Sequence, residues 1–347
     1  MKRIGMILIL ALTGTMAQTG LAGREDHLNI ESLKTLNATG SYVHLIGRSL
    51  FLTPGAVQGR LKPRDVVAGG GWFDIGADLA TPKLICDTLP ATWDVVLVDD
   101  YAITCNYQKY LTIYDTRNHQ WREIGKLDMP SMTENIITRG NLAYVANHVA
   151  GLTIVDVSKP TKPVIVSNLD PKIDCDAVAL WHDSAVLYGH HEGQVVLADI
   201  SDPAKPRQTG VCRLPKILNG GELEVENGFA YVTSRKGLFV VNVADPANPT
   251  LVSTVELGAV AHDVILKDGY AFVAADEYGL CVLDVSNPHK PVEVAHYRAK
   301  KDFVALAVAV EKVAQVASDY YIYAANMVGP AAMFMFHAPA KRGDSGN

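Results

Sequence analysis

Past its N-terminal segment, the chain alternates short apolar runs with clusters of Gly, Asn, Asp and Pro. That pattern predicts β-strands closed off by tight turns. One run carries a signature: Gly151-Leu152-Thr153-Ile154-Val155-Asp156-Val157 is followed by Ser158-Lys159-Pro160-Thr161-Lys162-Pro163. It returns at Gly237–Val243 before Ala244-Asp245-Pro246-Ala247-Asn248-Pro249, and at Gly279–Val285 before Ser286-Asn287-Pro288-His289-Lys290-Pro291. Gln194–Ile200 is a fourth copy, while Tyr110–Thr116 and Gly70–Ile75 are degenerate ones. The anchoring acid or amide falls at Asp74, Asp115, Asp156, Asp199, Asn242 and Asp284, at intervals of 41, 41, 43, 43 and 42 residues. Periods of about 40–45 residues with several short strands per unit predict a β-propeller.

Each unit divides into four strands. The first opens at Asp94, Asn135, Ala177, Glu222 or Asp263, and turns such as Lys267-Asp268-Gly269 lead to a short second strand. The third carries the signature. The Pro-x-x-Pro loop then stops it, because proline withholds an amide donor and fixes φ. The fourth is Val164–Leu169 or Val292–Tyr297. First strands begin near residues 43, 94, 135, 177, 222, 263 and 305, which makes seven. The last unit has a third strand at Ala332–His337 and no fourth, and Leu28–Leu33 resembles the missing one. The expectation is an all-β fold over residues 24–337: a single seven-bladed β-propeller closed by an N-terminal strand, which leaves no sheet edge open. Residues 338–347 read as a disordered polar tail.

Composition adds limits. With 48% hydrophobic and 20% charged residues among 347, the chain is globular. Its net charge of −6 provides no basic field for nucleic acid. Lys2 and Arg3, the apolar run Ile4–Leu12 and the small residues Ala17, Ala22 and Gly23 predict a signal peptide over residues 1–23. A membrane span needs about 20 apolar residues, and Thr13, Gly14 and Thr15 interrupt the run. The expected location is secreted, periplasmic or cell-surface. The five cysteines contain no Cys-x-x-Cys pair and lie in strand-like settings, so buried free thiols are expected.

The Leu-x-Val-x-Asp strand followed by Val-Ser-x-Pro-x-x-Pro resembles the LVIVD-repeat family of exported bacterial and archaeal β-propellers. The resemblance covers about residues 70–300 and implies the fold, but no single activity and no shared catalytic residues. WD repeats fit less well, since Trp93-Asp94 opens a first strand instead of closing a third.

In a four-stranded antiparallel blade, the loops between second and third strands share a face with the connections between blades. The former carry Tyr107, His148, His190, His191, Arg235, Glu277 and Tyr278; the latter carry Trp93, Glu134, Asp176, Glu222 and His262. In blade one the same loop is long and basic, with Arg60, Lys62 and Arg64. The opposite face reads as turn chemistry only. The recurring signature Asp reads as a structural anchor, because it appears in nearly every blade.

Two function classes fit this face. The first is a scaffold binding a glycan or a partner protein, with Trp93, Tyr107 and Tyr278 stacking and Arg235 pairing with acidic groups. The second is an enzyme on polysaccharide, a uronate lyase or glycoside hydrolase. There His148 or His191 would act as base, Tyr107 or Tyr188 as acid, and Arg235 would neutralise the uronate. Neither class implies a cofactor. No metal is expected, since adjacent His190 and His191 on a strand end would point to opposite sides, and the chain lacks a phosphate-cradling glycine motif.

Overall fold

The computed structural model describes residues 29–339 apart from 37, 40, 54–69, 77–78, 216–220, 277, 299–302, 314–315, 317 and 327–328. The expected leader, the blade-one basic residues Arg60, Lys62 and Arg64, Glu277 and nearly all of the tail lie outside the described residues.

Seven four-stranded antiparallel sheets form the molecule. Blade one runs from β2 (Tyr42–Ile46) to β5 (Lys83–Cys86), and blade two from β6 (Asp94–Val98) to β9 (Arg122–Asp128). Blade three runs from β10 (Asn135–Arg139) to β13 (Val164–Leu169), and blade four from β14 (Ala177–Trp181) to β17 (Arg207–Arg213). Blade five runs from β18 (Leu223–Glu226) to β21 (Thr250–Glu256), and blade six from β22 (Asp263–Lys267) to β25 (Val292–Tyr297). Blade seven comprises β26 (Ala305–Lys312), β27 (Asp319–Asn326) and β28 (Ala332–His337), with β1 (Ile30–Thr35) hydrogen-bonded outside β28. Inner strands contact their neighbours around the circle, and β2 touches both β6 and β26. This is the seven-bladed β-propeller anticipated from the repeats.

The core lies between blades. Strands that bury both faces carry near-continuous apolar runs, such as Leu238-Phe239-Val240-Val241, and fill the seams on either side. Apolar clusters occupy the seams from blade two round to blade seven and on to blade one. Between blades one and two, rings take over: Phe51 and Trp72 pack with Tyr114 and Trp121. Cys105, Cys175, Cys212 and Cys281 are buried, Cys86 is half-buried, and no disulfide joins any of them among the described residues.

The signature acid is a turn lock. In six blades its side-chain oxygen accepts the backbone N–H two residues on: Asp74 from Gly76, Asp115 from Arg117, Asp156 from Ser158, Asp199 from Ser201, Asn242 from Ala244 and Asp284 from Ser286. This is the Asx-turn geometry short polar side chains favour.

The Pro-x-x-Pro loops do more than turn the chain. The Ser167 hydroxyl donates to the Pro203 carbonyl of the next blade at 2.6 Å, and Ser253 donates to Pro288 at 2.7 Å. At the matching positions Gly125 and Gly210 let the strand backbone close on Pro160 and Pro246, whose carbonyls leave no room for a β-carbon. Gly210→Ala is therefore expected to cost about 1–3 kcal/mol, as overpacking against rigid backbone does, and Ser167→Ala about 1 kcal/mol. Urea denaturation of the two variants would check the order, and an unchanged midpoint for Gly210→Ala would refute the close approach.

Candidate functional site

The inner strands surround a channel of about 630 Å³. Alternation along a strand sets every second side chain on one face, which accounts for Tyr42, His44 and Ile46 from β2 and for Glu222 and Glu224 at β18. Three seams are tied at the channel wall by the first residue of an inner strand. Asp94 Oδ2 accepts from Ile136 N at 2.8 Å and Asn135 Nδ2 at 2.9 Å, and its Oδ1 accepts from Val95 N at 2.7 Å. Asn135 Oδ1 then accepts from Val178 N at 3.0 Å, one blade further on. Asp263 repeats the device, accepting from Val264 N at 2.8 Å and Val308 N at 2.9 Å. Ala177 opens the inner strand of blade four, and Glu222, opposite Thr233, holds the position in blade five. The Glu222 carboxyl makes no side-chain hydrogen bond among the described residues.

The wall is acidic. Asp94, Glu134, Asp176, Glu222, Glu224, Asp263 and Asp276 line it, with no lysine or arginine among the described lining residues. Burial first, and then the charges of Asp176 and Asp174, push Glu134 up to about 9. Glu224 rises to about 8 through burial and the charge of Asp263, and burial carries Glu222 well above the carboxylate range, helped by Asp263 and Asp94. Burial lifts Asp94 to about 7 and Asp263 to about 6 against the pull of their backbone donors. His44 is driven down to about 4 by burial, so its imidazole is neutral at physiological pH.

An aromatic row lies at the blade-one to blade-three side of the channel. Tyr42 and Trp93 have ring centroids 5.3 Å apart, Trp93 stacks on Tyr107 at 5.2 Å, and Tyr107 meets the His148 ring edge-on at 6.0 Å. Beyond His148 sits a cluster of imidazoles and carboxylates. His148 Nδ1 lies 2.8 Å from Asp174 Oδ1, a close contact without hydrogen-bond alignment, and Nε2 is 3.7 Å from Glu134. The other Asp174 oxygen accepts from His191 Nδ1 at 3.0 Å, so one carboxylate bridges two imidazoles. His190 Nδ1 is 2.6 Å from Asp176 Oδ2, which also accepts the His190 backbone N–H. Burial pulls the His190 imidazole down, but its Asp176 hydrogen bond and the charges of Asp176, Asp174 and Glu192 outweigh that and hold it above its ordinary value.

The expected site residues thus separate into groups. Trp93, Tyr107, His148, His190, His191, Glu134 and Asp176 come together, while Glu222 and His262 stand elsewhere on the channel wall. Arg235 is exposed and outside the channel lining. Tyr278 turns into its own blade, its ring stacked on His296 at 3.9 Å and its hydroxyl donating to Glu293. Tyr188 is 1% exposed inside the inter-blade core and cannot serve as an acid on this face. The two adjacent histidines do not diverge: their rings lie 3.9 Å apart, because both fall in a turn after β15 (Ser184–Gly189), where strand alternation no longer applies. Even so, no group of three or more metal-ligating side chains forms among the described residues.

Sequence reasoning missed Asp174, Tyr42, His44 and Glu224. The last three sit at alternate positions of inner strands, a period-two signal present in Tyr42-Val43-His44 and Glu222-Leu223-Glu224. Asp174 stands two residues before the blade-four position already singled out.

Seven blades around a polar channel define a β-propeller, and solved structures agree on the fold. The β-propeller domain of Myceliophteria thermophila Cps50 (Swd1) superposes with a TM-score of 0.65 at 11% identity, covering 88% of this chain and 99% of that one. A putative 6-phosphogluconolactonase from Bacteroides fragilis gives 0.60 at 11% identity, covering 84% and 95%. The computationally designed protein Ika8 gives 0.61 at 9% identity, covering 90% and 100%. Within the ring, residues 130–170, 220–256 and 258–299 match the LVIVD repeat, in keeping with the repeat signature of blades three, five and six. No curated protein matches it in sequence.

Proposed function

We propose that this propeller is a binding scaffold which engages a glycan or a partner protein on the face formed by its second-to-third-strand loops. The observation that carries the reading is the row Tyr42–Trp93–Tyr107–His148 beside an open polar channel. Fixed aromatic faces next to directed polar groups suit ligands with an apolar side and a hydrogen-bonding edge. The fold itself does not choose a function, since Cps50 (Swd1), a putative 6-phosphogluconolactonase and a computationally designed protein all share it at low identity. No helix among the described residues is long and apolar enough to cross a membrane. Export remains part of the proposal and rests on the leader-like residues 1–23.

An enzymatic reading keeps one supporting feature, the His190–Asp176 pair, in which a carboxylate orients an imidazole as general acid–base chemistry requires. The uronate-lyase form lacks a neutralising group: no lysine or arginine lines the channel among the described residues, and Arg235 stands outside it. Titration of Trp fluorescence with neutral oligosaccharides and with peptides tests the scaffold reading. At least one ligand is expected to bind about tenfold more weakly to Trp93→Ala, a loss of about 1.4 kcal/mol. Identical binding by Trp93→Ala, Tyr107→Ala and the parent protein would overturn it.

A further inference from the structure

The channel wall has hydrogen-bond acceptors without donors. Glu222 and Glu224 make no side-chain hydrogen bond among the described residues, and the Glu134 carboxylate has only the His148 contact at 3.7 Å. No lysine or arginine balances this wall among the described lining residues. Carboxyls that face the channel with no donor of their own favour a guest that brings several N–H groups.

The kind of cation follows from the rest of the wall. Among the described residues no three ligating side chains converge on a point, which disfavours a metal ion. Ile46 and Ile265, on the same strand faces as His44 and Asp263, offer an aliphatic lining. A lysine or arginine side chain matches both parts, laying its alkyl stem on apolar wall and its charged head among acceptors. A neutral sugar would leave the carboxyls unbalanced. At the mouth, Trp93 and Tyr107 provide faces for a passing backbone or a second cation.

We infer that the channel receives a lysine or arginine side chain presented by a peptide segment of a partner protein. This rests on the binding-face reading above and names its ligand. The test is calorimetric titration of the full chain with a capped pentapeptide that has one central lysine or arginine in a glycine–serine background. The control peptide has glutamine at the centre. Binding is expected to be at least tenfold tighter for the basic peptides and to weaken with added salt. It should also release protons from the channel acids, read as a heat that depends on the buffer. The double variant Glu134→Gln/Glu222→Gln, with folding checked by circular dichroism, is expected to lose about tenfold in affinity. Equal binding of basic and glutamine peptides, or unchanged affinity in the double variant, would overturn the inference. So would tight binding of free spermidine with none of the peptides. If an oligosaccharide bound in a Trp93-dependent manner while the peptides did not, this inference would fail and the scaffold reading would stand. If nothing bound, both would fall.

Discussion

Between pH 6 and pH 8 the protein is expected to lose stability, with Glu134 alone contributing about 3 kcal/mol. Its carboxyl stands at about 9 in the folded chain against an ordinary 4.5. Throughout that interval the native state keeps a proton that the unfolded chain has released, so each pH unit costs about 1.4 kcal/mol. Glu224 at about 8, Asp94 at about 7 and Asp263 at about 6 act with the same sign in their own windows. His190, held above 6.5, also gives up its contribution as the pH rises through its folded value. One opposing group, His44 at about 4 against 6.5, adds stability as the pH rises to about 6.5 and so reaches only the lower edge of this range; the others lie below it. Asp199 at about 2, and Asp156, Asp245 and Asp268 below their usual 3.8, stabilise the fold above that value and lose their effect only as pH falls through the low folded ones. Maximum stability is thus expected near pH 4–6. Urea denaturation at pH 5, 6, 7 and 8 would show it, and Glu134→Gln should flatten the slope. A flat or rising profile in the parent protein would refute the buried acidic wall.

Asp94→Ala is expected to destabilise the ring by about 3–5 kcal/mol. The substitution removes the acceptor for Ile136 N, Val95 N and Asn135 Nδ2 together. Each buried donor left unpaired costs about 1–3 kcal/mol. It also unseats Asn135, whose other end ties blade four. Asp94→Asn keeps one acceptor oxygen in place, as Asn135 itself does in blade three, and should cost only about 1 kcal/mol. Thermal and chemical unfolding of the pair would test this. Equal losses for the two variants would mean that volume, not the shared acceptor, holds the seam.

The fold was legible because it is repetitive. A period of 41 to 43 residues, a fixed acid and a fixed Pro-x-x-Pro stop identify the blades from local patterns, and the acid proves to be the turn lock such recurrence implies. Site residues were legible only as far as loop position determines contact. Trp93, Tyr107 and His148 were found together because connections and second-to-third loops share one end of each blade. Side-chain direction within a turn was not legible. Tyr278 lies in an equivalent loop yet folds back onto His296, and His190 and His191 converge where strand alternation would separate them. Nor could burial be read from one blade, because the acidity of the wall arises only when separate inner strands close into a ring.

The acceptor at the head of the inner strand is not spread evenly. Asp94, Asn135 and Asp263 tie the seams from blade two to three, three to four and six to seven. Ala177 cannot, and Glu222 stands in place without engaging its neighbour. In a chain of nearest-neighbour modules, local opening starts where the coupling is weakest. Amide protons on both flanks of blade five should therefore exchange before those at the three tied seams, and the ring breathes there while those seams hold. Because Glu222 also faces the channel, a guest that neutralises it would quiet that motion, and occupancy would be written into the exchange rates of a blade.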